Sequence, residues 1–110
     1  MKKIYNKLIR DKIPGIIESD NEIPEVRVLS KREFVVELKK KIVEESKELA
    51  EAQAKNDVLN EIIDITELLG WLAKIYKLRP TSIRNLQKEK NKKRGSFKKR
   101  LFLKYTKTKE

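Results

Sequence analysis

Residues 44–65 read "EESKELAEAQAKNDVLNEIIDI" and set seven acids, Glu44, Glu45, Glu48, Glu51, Asp57, Glu61 and Asp64, among apolar residues at helical spacing. Whether these carboxylates cover a solvated surface or turn inward together decides both the fold and the chemistry. Upstream, Ser30 precedes "KRE" with Glu33 three residues on, a capping box that starts a helix at about Lys31. That helix is expected to run to about Lys55, with "KND" as the turn. A second is expected from about Asp57 to Leu78, stopped near Pro80, which cannot continue a helix.

Helical phase separates the acids. Counting about 100° per residue from Phe34, the apolar residues Phe34, Leu38, Ile42, Leu49 and Ala52 share a stripe between roughly 0 and 80°. Glu45 falls inside it at about 20° and Glu48 on its edge at about −40°, whereas Glu44 and Glu51 point away near −80 and −100°. Lys41 lies near the stripe one turn before Glu45. In the second helix, counted from Val58, the polar face carries Asn60, Glu67 and Lys74. Glu61 and Asp64, at about −60 and −120°, share a sector with Leu68, Trp71, Leu72 and Ile75. A short connection makes the two helices antiparallel neighbours, so Glu45 and Glu48 can meet Glu61 and Asp64 across the hairpin.

Four carboxylates converging in a partly apolar setting repel one another and cost several kcal/mol each to desolvate unless something neutralises them. A divalent cation does so. The chain has no Cys and no His, which removes disulfides, the usual zinc ligands, a thiol nucleophile and an imidazole base. All-oxygen ligation selects a hard ion, Mg²⁺ or Mn²⁺. The plainer alternative is a solvated acidic face paired with Lys41, Lys47 and their neighbours.

The remaining segments are less regular. Pro14-Gly15 breaks any long helix near the N-terminus, and residues 16–18 are expected to form a short turn. Val26 and Val28 alternate with polar residues, a weak strand pattern. Thr81 or Ser82 is expected to cap a third, basic helix ending at Gly95, followed by "FKKRLFLKY", ambiguous between strand and helical turn, and a frayed tail.

At 110 residues the chain is expected to be one domain. It has no long apolar run and no signal-peptide pattern, so a cytoplasmic protein with no membrane partner is expected. The net charge of +11 is uneven: residues 1–30 carry 6 basic and 5 acidic side chains, residues 31–79 carry 10 and 10, and residues 80–110 carry 12 and 2. The central acids are therefore not counterparts of a general basic excess.

The spacing Glu44-Glu45-x-x-Glu48, then Glu61-x-x-Asp64, resembles the metal-binding pattern of the MazG-like all-α nucleoside triphosphate pyrophosphohydrolases. "YNKLIRDKIPGII" and "KRGSFKKRLFL" resemble the two ends of that superfamily's phosphoribosyl-ATP pyrophosphohydrolase-like branch, so the likeness covers nearly the whole chain. Ser96 departs from it, standing where a second glycine after Gly95 is expected.

The resemblance implies an all-α fold in which a helical hairpin completes a four-helix bundle by oligomerisation, as a homodimer or tetramer, with short irregular or β-like segments at both ends. It implies Glu45, Glu48, Glu61 and Asp64 as ligands of Mg²⁺ or Mn²⁺, with Glu44 matching an acid that does not ligate directly. The implied reaction is hydrolysis of a nucleoside triphosphate between the α and β phosphates, giving the monophosphate and pyrophosphate, in a nucleotide-pool house-cleaning role. A metal-activated water suits a chain without Cys or His. Glu48 or Glu61 is the catalytic base, and spacing does not choose between them. Lys7, Arg10 and Lys12, with Lys93, Arg94 and Arg100, are candidates for holding phosphates. Trp71 and Phe97 are expected to pack in the core rather than stack on a base. Two other readings compete: a basic module binding nucleic acid, which leaves the inward acids unexplained, and a catalytically inactive, antitoxin-like interaction protein on the same fold.

Overall fold

The computed structural model describes residues 1–109. Four helices follow in order, α1 (Ile13–Ser19), α2 (Lys31–Glu51), α3 (Lys55–Ile75) and α4 (Pro80–Arg94), with no strand among the described residues. No described helix is long and apolar enough to cross a membrane. The chain divides into two compact units, Met1–Lys77 and Leu78–Glu110.

In the first unit α1 begins one residue before Pro14, which occupies its first turn, where a missing N–H costs nothing. The seven-residue helix includes the Pro14-Gly15 pair, which was expected to break only a long helix, and extends the short turn expected over residues 16–18. The expected strand around Val26 and Val28 is absent. Both side chains are exposed and no second segment pairs with their backbone, and a lone extended segment has no ladder to stabilise it. Instead Arg27 reaches into the first turn of α2 and forms a forked ion pair with Glu33, at 3.2 and 2.6 Å.

The start of α2 follows the sequence reading. The Ser30 hydroxyl accepts from the Glu33 N–H, and the Glu33 carboxylate accepts from the Ser30 N–H, so two otherwise orphaned donors are satisfied. Its end does not. The chain leaves the helix at Glu51, and Ala52 and Ala54 are extended, so the turn lies before Lys55 rather than within "KND". Asp57 instead sits in the first turn of α3, where a carboxylate complements the helix dipole.

α2 and α3 pack against each other along their lengths. At their contact Leu38 and Leu68 are buried, and Phe34, Ile42, Leu49 and Leu72 are half-buried around them. A separate face of α3 is left open: Leu59, Ile62, Ile63 and Leu69 are each about half exposed. These residues fall at about 20 to 140° from Val58, opposite the sector of Glu61 and Asp64.

The second unit starts with Pro80 at the first position of α4 and Arg79 as N-cap. Thr81 and Ser82 are inside the helix rather than capping it, because proline's fixed φ already suits its first turn. Gly95 ends α4 at φ 80°, a conformation that favours glycine. No residue of α4 is buried, and Phe97 is 93% exposed, contrary to the core role expected for it.

The Arg27–Glu33–Ser30 contacts hold the Glu33 carboxyl at a pKa of about 2, below its ordinary 4.5, first through the hydrogen bond from Arg27 and then through the Ser30 backbone. The folded chain thus binds fewer protons than the unfolded chain between those values, so stability rises with pH there and is lost as pH falls from about 4.5 to about 2. Thermal unfolding followed by circular dichroism across this range is expected to show a shallower acid loss for Glu33→Gln than for the unchanged protein.

Candidate metal centre on the helical hairpin

Glu45 lies on the buried side of α2, as its helical phase predicts, and is 7% exposed. From α3, Glu61 and Asp64, one turn apart and half-buried, face it. One carboxylate oxygen from each of Glu45, Glu61 and Asp64 lies within 4.8 Å of the others. Glu48, one turn on from Glu45 and expected to join the ligands, is instead exposed and outside this trio, close enough to Glu45 to feel its charge. Glu44 and Glu51 are exposed, as their phases require.

The electrostatics record the crowding. Two full charges 4.8 Å apart repel by about 3.5 kcal/mol at an effective dielectric of about 20, a large cost for a domain this size. The Glu45 carboxyl is accordingly pushed above the ordinary carboxylate range, chiefly by the neighbouring Glu61 carboxyl and then by burial. Glu48 and Lys41 pull it the other way. Glu48 is pushed up as well, mainly by its contact with Glu45.

Two cations offset the acids. Lys41 Nζ lies 3.8 Å from Glu45 Oε1 on the same helix face. Arg10 reaches from the N-terminal segment and donates from Nη2 to Asp64 Oδ1 at 2.7 Å. Neither cation reaches Glu61 Oε2, which is shielded from solvent and has no hydrogen-bond partner. A buried carboxylate oxygen without a donor is costly and uncommon. An all-oxygen trio with one orphaned oxygen fits a hard divalent cation, and the donor set offers nothing to a soft one.

The cationic residues expected to hold phosphates are distributed unevenly. Arg10 is engaged with Asp64, so it lies at the acidic cluster and not free in solvent. Lys7 is exposed, stacks its ammonium over the Tyr5 ring at 5.6 Å, and lines a cleft of about 110 Å³ with Lys40, Lys41 and Glu44. Lys12 is exposed at the N-cap of α1. Lys93 and Arg94 belong to the second unit, where they line a groove of about 270 Å³ with Leu86, Glu89 and Lys90. Arg100, also there, closes a turn with left-handed backbone, its N–H donating to the Phe97 carbonyl at 3.1 Å.

Trp71 is 43% exposed, not a core residue as expected: its indole N–H donates to Glu67 at 2.8 Å, and Lys74 lies 4.9 Å from its ring centre. The Arg10–Asp64 pair could not be read from spacing, since its partners are 54 residues apart. Comparison with protein-family models, curated proteins and solved structures returned no match.

In the presence of a chelator, Glu61→Gln is expected to stabilise the protein. The amide removes one charge from the cluster and supplies a donor to Glu45. A gain of about 1 kcal/mol corresponds to a rise of roughly 4–8 °C in the unfolding midpoint for a domain of this size. Glu51→Gln should leave the midpoint unchanged. A lower midpoint for Glu61→Gln in calorimetry would show that Glu61 does not share the Glu45 charge environment.

Proposed function

We propose that this chain is a Mg²⁺- or Mn²⁺-dependent nucleoside triphosphate pyrophosphohydrolase that cleaves between the α and β phosphates, releasing the monophosphate and pyrophosphate. The observation that carries this reading is the convergence of Glu45, Glu61 and Asp64 around the unpartnered Glu61 Oε2. It is supported by the resemblance of the same residues, with Glu48, to the MazG-like acidic pattern.

Glu45, Glu61 and Asp64 would hold the cation, with Glu48 at the open edge. When bound, the ion supplies Lewis acidity and neutralises phosphate charge. Ligation gives Glu61 Oε2 the partner it lacks, which assigns Glu61 to binding. Glu48 is then the better base: it is exposed, so it can accept a proton from an attacking water and pass it to solvent. The exposed Lys7 and Lys12 supply charge for the phosphates from the first unit. The exposed cations of the second unit favour an anionic partner of any kind, including nucleic acid, but that alternative gives no role to a buried Glu45 facing two more acids.

A second copy of the chain is part of the proposal. The open face of α3 with Leu59, Ile62, Ile63 and Leu69 matches what two hairpins need to complete a four-helix bundle, and a single hairpin leaves it in water.

With Mg²⁺, a nucleoside triphosphate should yield monophosphate and pyrophosphate by chromatography, and Asp64→Asn should lower turnover at least about 100-fold and remove the thermal stabilisation by Mg²⁺. Release of diphosphate and orthophosphate would overturn the reaction assigned. Sedimentation equilibrium should give a multiple of 13.0 kDa for the unchanged chain, and Ile62→Glu should shift it toward the monomer.

A further inference from the structure

The N-terminal segment reaches the acidic cluster through one charged contact, and that contact falls on a residue assigned to the cation. Arg10 Nη2 sits 2.7 Å from Asp64 Oδ1, with the Arg10 side chain 56% exposed and Asp64 29% exposed. Of the cations near the cluster, Lys41 belongs to α2 and moves with Glu45, whereas Arg10 lies outside any helix, three residues before α1. No other ion pair among the described residues joins residues 1–12 to α2 or α3.

We infer that Arg10 and a divalent cation compete for Asp64, so that the Arg10 side chain is clasped to α3 when the metal is absent and released when it binds. The inference rests on the metal reading given above. A guanidinium at the cluster lowers the negative potential that attracts a divalent ion, and it engages an oxygen of the carboxylate that would ligate. Arg10 is the more displaceable of the two cations, because it is over half exposed and its loss from Asp64 returns a guanidinium to water, not to a buried site. Release also frees Arg10, on the same segment as Lys7 and Lys12, for an anionic ligand.

The alternative role, in which Arg10 orients Asp64 for the metal, predicts the opposite sign, so one measurement separates them. Mn²⁺ binding to the full chain is followed by electron paramagnetic resonance for the unchanged protein, Arg10→Gln, Arg10→Lys and Asp64→Asn. Competition requires Arg10→Gln to bind Mn²⁺ about 10-fold more tightly, with Arg10→Lys close to the unchanged protein and Asp64→Asn much weaker. Unchanged or weaker Mn²⁺ binding by Arg10→Gln, when the unchanged protein binds, overturns the clasp and leaves the metal reading standing. Absence of Mn²⁺ binding by both proteins overturns the metal reading and the clasp with it.

Discussion

The contact between Glu45 on α2 and Glu61 on α3 is the constraint around which the first unit is arranged. Two acids meet across a helical hairpin where the surrounding residues are apolar, and each needs a compensating charge or proton. Lys41 one turn before Glu45 and Arg10 at Asp64 answer this in part. The answer is incomplete, because Glu61 Oε2 keeps no partner. A core made for stability alone would place leucine at these positions, as it does one or two turns away at Leu38 and Leu68.

Three of the four acids expected inward, Glu45, Glu61 and Asp64, were legible because helical phase needs only local spacing, whereas Glu48, on the edge of the stripe, is exposed. Glu45 fell inside the Phe34–Leu38–Ile42–Leu49 stripe and is buried, while Glu44 and Glu51 fell outside and are exposed. The capping box at Ser30 was equally local. The hairpin turn was misplaced because Asn56 and Asp57 are strong turn and cap residues, whereas the Ala52-Gln53-Ala54 that forms the connection carries no such pattern. Asp57 obeys the same preference for a helix start from three residues inside it.

What local spacing could not carry was any contact that depends on where distant segments fold back. The alternation of Val26 and Val28 satisfied a strand pattern but not the need for a partner, and the nearby Arg27 was drawn to Glu33 instead. Arg10 stood among several basic residues of similar standing. Only the fold distinguishes it from Lys7 and Lys12, by bringing Asp64 within hydrogen-bond distance. The second unit was legible as a basic helix stopped by glycine, and the expectation of an apolar role for Phe97 failed because that unit has no buried residue among those described to pack against.

The short Ala52–Ala54 connection also bears on the order in which the chain assembles. Closing the loop between Glu45 and Glu61 spans 16 residues, whereas closing that between Arg10 and Asp64 spans 54, and the entropic cost of closure grows with that separation. The hairpin contacts are the local ones, so loop closure favours bringing the acids together ahead of the arginine. Their mutual repulsion then opposes the hairpin's closure itself, a cost that leucine at the same positions would not impose.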